Sequence, residues 1–233
     1  MSSQTQIAAP SIPILYEDAD LLVVDKPAGL VIHPAYKHPD GTLFNAVSAY
    51  VQERGEAKPC LLHRLDKDTS GVILLAKTAP ARRHLVRQFE QHTIHKTYLA
   101  LVCGALHPAS GEIDAPLRRD PLDRRRVQPD PQGMPARTVY QTLQVLSSGF
   151  ALIELHPITG RMHQLRVHLT AAGAPIVGDT LYGAPERWAP LAPQRQCLHA
   201  HALTFQHPST GKRLSVVSPL PADIQSILTA SIP

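Results

Sequence analysis

Apolar positions fall into short runs from residue 14 onward. Ile14-Leu15-Tyr16 and Leu21-Leu22-Val23-Val24 flank the acidic turn signal Glu17–Asp20, the pattern of a β-hairpin. It ends at Lys26-Pro27-Ala28-Gly29, because proline donates no ladder hydrogen bond. From 42 to 54 apolar residues recur at 43, 44, 47, 50 and 51 behind a threonine cap, a helical period that Gly55 closes. The run Val72–Ala76 reads as a buried strand. A second helix is expected from Ala79 to His92, with Leu85, Val86 and Phe89 as its apolar stripe, Pro80 at its start and Arg82, Arg83 and Arg87 elsewhere on its surface. Strands are predicted over 94–103, 137–146 and 150–156, a third helix over 162–172, and a last hairpin over 198–205 and 213–217. The proline-rich stretches 105–136 and 184–195 read as long irregular loops, and 1–11 as a disordered lead-in. Strands outnumber helices without regular alternation. The expected fold class is therefore α+β, with a mixed, mostly antiparallel central sheet and flanking helices.

A length of 233 residues suits one generous domain, read here as 12–220 with a C-terminal tail at 221–233. The longest apolar run, Val72–Ala76, falls far short of the roughly 18 residues needed to span a bilayer. The N-terminus has neither the basic start nor the apolar stretch of a secretion signal, so a cytoplasmic protein is expected. Cys60, Cys103 and Cys197 are odd in number and widely spaced, which suits reduced core thiols rather than disulfides or a zinc cluster. Charge is uneven: residues 1–62 carry net −3 and 63–233 net +7. Of the 23 cations 16 are arginine, whose planar fork binds phosphate in two places at once, and a polyanionic partner fits this surface.

No Gly-rich phosphate loop, dinucleotide fingerprint, nucleophile elbow or His-Glu-x-x-His motif is present. Thirteen histidines raise a metal reading, with His199, His201, His163 and His168 the nearest candidates, but no cysteine or acid stands beside them at ligand spacing. No cofactor or metal is expected.

Two segments concentrate polar chemistry. In His63-Arg64-Leu65-Asp66-Lys67-Asp68-Thr69-Ser70-Gly71 the residue types suit a local turn. Yet extended backbone over 64–66 puts Arg64 and Asp66 on one side and Leu65 on the other. In Thr159-Gly160-Arg161-Met162-His163-Gln164-Leu165-Arg166-Val167-His168 four cationic or titratable residues crowd a helix start, where acids are the rule, which points to an anionic partner.

These segments, with His95-Lys96-Thr97-Tyr98, Gly178-Asp179, Tyr182-Gly183, Asp25–Leu30 and His33-Pro34, stand in the order of the RluA-type family of RNA pseudouridine synthases, which the chain resembles over residues 14 to about 219. The resemblance implies a pseudouridine synthase fold whose long loops form an RNA-binding cleft, and a catalytic domain over 12–220. It implies isomerisation of a uridine in structured RNA, with the base flipped out of its helix. Asp66 would be the catalytic carboxylate, Arg166 its partner that orients it and keeps it ionised, and Tyr98 the ring stacked on the base, whose hydroxyl helps remove the C5 proton. Arg64 would fill the gap left by the flipped base. Arg161, His163 and the cluster Arg124, Arg125 and Arg126 would bind phosphates, although Asp120 and Asp123 dilute that cluster. Many relatives carry an N-terminal S4-like RNA-binding module, which the residues before the first strand do not resemble. Grip on the RNA is then expected from the catalytic domain, acting as a monomer on a ribosomal or transfer RNA stem-loop. A catalytically idle RNA-binding module on the same scaffold, and a zinc hydrolase, are the competing readings.

Overall fold

The computed structural model describes residues 12–34, 39–183 and 195–230. The first hairpin is β1 (Ile14–Glu17) and β2 (Leu21–Lys26), followed by α1 (Leu43–Gln52), β3 (Cys60–Leu61), β4 (Ser70–Ala76) and α2 (Ala79–Glu90). Then come β5 (His95–Cys103), β6 (Ser110–Asp114), β7 (Leu117–Arg119), β8 (Val127–Pro129), β9 (Arg137–Val145) and β10 (Phe150–Pro157). The chain continues through α3 (Gln164–Ala171), β11 (Leu198–Gln206), β12 (Arg213–Val217) and α4 (Ala222–Ala230).

Ten strands form one sheet in the order β1-β2-β4-β11-β5-β10-β9-β6, with β3 added to β4 and β12 to β11; β7 and β8 form a separate arm. Among the described residues only β4 and β11 run parallel, through His199 opposite Ser70 and Ala200 opposite Gly71. The α+β, mostly antiparallel expectation holds.

Alternation along β2 and β4 places the helices. Leu21, Val23, Val72 and Leu74 pack against Ala81 and Leu85 of α2, while Leu22, Val24, Ile73 and Leu75 pack against Leu43, Val47 and Val51 of α1. Both faces are thus covered, and each such side chain stabilises the fold by about 1.5–3 kcal/mol on burial. The α1 start has the expected threonine cap: Thr42 Oγ1 accepts from the Asn45 amide, and the Asn45 side chain accepts from the Thr42 amide in return. Leu101, Ile153 and Leu155 build a further core with Leu165 and Leu169 of α3.

Several expectations need correction. Residues 105–136 are not an irregular loop, for they contain β6 and the β7–β8 arm. β6 is an edge strand with both faces largely wet, so it lacks the apolar alternation that marks a strand. The segment after 220 contributes α4, whose Ile224 is buried in the main core. α3 begins at Gln164 rather than 162, because His163 takes a left-handed backbone, φ 53°. The lead-in 1–11 and residues 184–194 of the second expected loop lie outside the described residues. Cys103 and Cys197 are buried thiols, as expected, whereas Cys60 at the edge of the sheet in β3 is only partly buried.

Candidate active site

The sheet opens where β4 and β11 part after two residue pairs. Gly71 permits this contact: its φ is 117°, and a Cβ there would lie 2.2 Å from the Ala200 carbonyl oxygen. The segment 62–69 lies beside the opening. His63 Nε2 accepts the Leu74 amide at 3.0 Å, on the edge of β4 that β11 leaves unpaired. Burial, and then the charge of Lys96, drive the His63 pKa down to about 4, so the ring stays a neutral acceptor. Lys26 is fully buried, and its Nζ donates to the carbonyls of Pro27 (2.8 Å), Leu30 (2.9 Å) and Lys67 (2.7 Å). That ammonium pins the loop next to Asp66. Burial lowers its pKa to about 8, against the opposing pull of Asp68 and Asp66.

Asp66 lies in a cleft of about 340 Å³ that is also lined by Arg64, Lys96, Tyr98, Arg161 and Arg166. Arg166 Nη1 donates to Asp66 Oδ2 at 3.1 Å, so the expected pair exists. The same guanidinium makes a fork with Asp179, Nε to Oδ2 at 2.7 Å and Nη2 to Oδ1 at 2.8 Å. Arg166 is 8% exposed and Asp179 1%. Burial opposes the arginine charge, but Asp179 first and then Asp66 outweigh it and raise the Arg166 pKa. The cations crowding the α3 start therefore meet anions of the protein itself, at least at Arg166.

Gln164 organises that start. Its Oε1 accepts from the Arg161 amide and the Thr159 hydroxyl, and its Nε2 donates to the Arg137 carbonyl and Thr138 Oγ1. His163, expected on phosphates, instead points inward, with Nε2 3.8 Å from Asp66 Oδ2 and Nδ1 2.8 Å from the Tyr182 hydroxyl. Burial lowers its pKa. The Tyr98 hydroxyl is held protonated, mainly by burial and further by the Asp66 charge. Lys96 Nζ donates to the Thr159 carbonyl, and burial lowers its pKa to about 8.

Arg64 and Arg161 are exposed at the cleft, and Arg161 Nε donates to the Pro135 carbonyl. Arg124, Arg125 and Arg126 sit on the β7–β8 arm. Asp123 binds Arg125 through both carboxylate oxygens, as the dilution by acids implied, whereas Arg124 and Arg126 have no ion pair among the described residues. His168 and His199 spend both ring nitrogens on protein partners, Thr138 with the Ala115 carbonyl and Ser70 with the Ser218 carbonyl. Among the described residues no three His, Cys, Asp or Glu side chains are grouped to hold a metal, and no helix is long and apolar enough to cross a membrane.

A model of the family described as RNA pseudouridylate synthase matches residues 20–171. The chain belongs to this family. Ribosomal large subunit pseudouridine synthase D of Nitrosomonas europaea is 41% identical over 231 residues, covering 97% of this chain and 67% of that protein. An uncharacterized RNA pseudouridine synthase of Chloroflexus aurantiacus is 47% identical over 207 residues, 88% of this chain and 64% of that one. The chain thus spans about two thirds of the length of these relatives. The solved structure of human RNA Pseudouridylate Synthase Domain Containing 4 superposes with a TM-score of 0.75 at 28% identity, covering 93% of this chain and 92% of that one. Human RNA Pseudouridylate Synthase Domain Containing 1 gives the same TM-score at 27% identity, covering 99% and 97%. The RluA-type resemblance and the pseudouridine synthase fold are both borne out.

Within this pseudouridine synthase, sequence reasoning missed Lys26, Asp179 and Tyr182 as parts of the site. All three stand in motifs that carried the resemblance, so their place in those motifs was the available signal. Each also has a partner beyond any local pattern, 13 residues away in Arg166–Asp179, 41 in Lys26–Lys67 and 55 in Val127–Tyr182.

Proposed function

We propose that the protein converts a specific uridine of structured ribosomal RNA into pseudouridine, with Asp66 as the catalytic carboxylate. The observation that carries this reading is Asp66 in a cleft of single-ligand size, tied through Oδ2 to the buried Arg166 at 3.1 Å. A uracil must leave its helix to enter such a cleft, and the exposed Arg64 at the cleft can occupy the space it vacates. Tyr98 supplies the ring against which the base stacks.

Asp66 either attacks C1′ as uracil departs or takes the C2′ proton to leave a glycal; in both routes the base turns and rejoins through C5. The C5 proton is lost and N1 gains one, so the net change is an isomerisation that needs no cofactor. A carboxylate is needed in its ionised form for either step, and Arg166 Nη1 orients it by donating to Oδ2 at 3.1 Å. Arg161 and the β7–β8 arm bind flanking phosphates. We place the reaction in the cytoplasm, with a catalytic unit that extends from residue 12 through α4 and acts as a monomer on a compact stem-loop. An idle RNA-binding module would have no use for a partly exposed carboxylate held by a buried arginine, whose burial costs free energy.

The test is carbodiimide mapping of pseudouridine in total RNA from cells lacking the gene, complemented with wild type or Asp66→Asn. A ribosomal site that vanishes on deletion and returns with wild type alone is the expected result. A site in transfer RNA would correct the substrate. Return of the site with Asp66→Asn would overturn the catalytic assignment.

A further inference from the structure

The backbone of His163 is spent on orienting its ring. The residue occupies the N-cap of α3, where serine, threonine, aspartate or asparagine would accept a helix amide, yet its side chain makes no capping bond. Among the described residues only His92 and His163 adopt positive φ without being glycine. Backbone held in a sparsely populated region is a reason to look for function. Here it turns the ring into the cleft.

The proton on that ring can be located from its partners. The Val127 amide, which can only donate, gives its hydrogen to the Tyr182 hydroxyl oxygen at 2.9 Å. The hydroxyl has one hydrogen of its own, and the acceptor within reach is His163 Nδ1 at 2.8 Å. Tyr182 is buried, so water does not offer an easy alternative. Its hydroxyl therefore donates to Nδ1, which must be bare, and the ring hydrogen resides on Nε2, facing Asp66 Oδ2 at 3.8 Å. The tyrosine is itself held edge-on against His163, with the Arg166 guanidinium 5.0 Å from its ring centre.

We propose that Tyr182 is a positioning residue that locks His163 as the neutral Nε2–H tautomer, so that Arg166 and His163 both direct hydrogens at one oxygen of Asp66. Oδ2 is the anchored oxygen. Oδ1 receives no donor among the described residues and is the atom left to react with the ribose. Burial lowers the His163 pKa, the direction this role requires. Val127 begins β8, so the chain of bonds runs from the arm that carries Arg124 and Arg126 into the catalytic centre. This inference deepens the proposed function and rests on it.

The test combines nitrogen-15 NMR of histidine-labelled full chain with single-turnover kinetics on the mapped RNA. His163, assigned by its loss in His163→Gln, is expected to show a bare Nδ1 and a protonated Nε2. Tyr182→Phe is expected to lose that pattern and to slow the single-turnover rate roughly tenfold, the effect of one lost hydrogen bond, with RNA affinity within about twofold. His163→Gln, whose amide can donate near the Nε2 position, is expected to retain more rate than His163→Asn. In the His163→Gln background Tyr182→Phe is expected to add nothing. A wild-type ring protonated on Nδ1 overturns the inference without recourse to any other variant, and so does an unchanged rate in Tyr182→Phe. Residual activity in Asp66→Asn would instead sink the proposed function and leave the NMR result standing.

Discussion

Asp179→Asn separates the charge of the buried fork from its shape. Asparagine keeps an oxygen for the Leu181 and Tyr182 amides, which Asp179 Oδ1 accepts at 3.2 Å each. It also sets an NH2 group against an Arg166 N–H, two donors facing each other. The guanidinium stays buried with Asp66 as its one carboxylate. Removing one member of a buried pair costs about 3–5 kcal/mol, and with Asp66 still at 3.1 Å the lower end, about 3 kcal/mol, applies. For a chain of this size each kcal/mol moves Tm by about 2–4 °C, so Tm falls by about 6–12 °C. Urea unfolding and thermal melts measure this directly. Arg166→Met placed on top of Asp179→Asn removes the stranded charge and fills its space with an apolar chain. The double variant is thus expected to be more stable than Asp179→Asn, with a coupling well beyond the scatter of independent sites. A loss under about 1 kcal/mol for Asp179→Asn, or a double variant as unstable as the two single losses combined, would refute the fork as the support of Arg166.

Lys26→Met leaves three carbonyls without their donor, for a net loss of about 3 kcal/mol once the relieved burial of the charge is counted; urea titration gives the value. The folded pKa of Lys26, about 8, lies below its ordinary 10.5, so between these values the unfolded chain binds more protons. Stability in wild type therefore gains with pH across that window relative to Lys26→Met, and a flat difference between pH 7.5 and 9.5 would contradict it. Lys96, also at about 8, carries its charge below that pH: RNA affinity is expected to weaken from pH 7 to 9 in wild type and to change less in Lys96→Met. Replacing Arg124, Arg125 and Arg126 together by alanine is expected to flatten the salt dependence of RNA binding by the equivalent of about two phosphates rather than three, because Asp123 already holds Arg125; an unchanged slope would show that the arm does not touch RNA.

The elements most legible in the sequence were those with one strong period and a local stop signal. α1 shows both, with Thr42 at its start and Gly55 just beyond its end, and β4 announces itself by an unbroken apolar run. β6 is illegible because an edge strand wetted on both sides needs no apolar alternation; its identity comes from pairing with β9, as in Glu112 opposite Val139 and Asp114 opposite Arg137. The site divides in the same way. Motif order points to Asp66, Tyr98 and Arg166, which line one cleft, and the Asp66–Arg166 contact joins residues 100 positions apart. The cationic start of α3 points to an external anion, and so places His163 on phosphates, because spacing along a helix cannot reveal that Asp179 folds back beneath it. Lys26 looked like an ordinary strand end, and nothing local tells an ammonium in water from one capped by three carbonyls.

The two-pair seam between β4 and β11 bears on how the protein folds. It joins Ser70 to His199 across 129 positions, whereas the hairpins on either side, β1 with β2 and β9 with β10, close over short loops. Bringing distant segments together costs more chain entropy than closing a hairpin, so the seam forms after its flanks. Asp66 precedes β4 and Arg166 precedes β11, so the carboxylate and its arginine meet only when the seam shuts. During refolding, the Asp66–Arg166 contact is then expected to return later than most of the secondary structure.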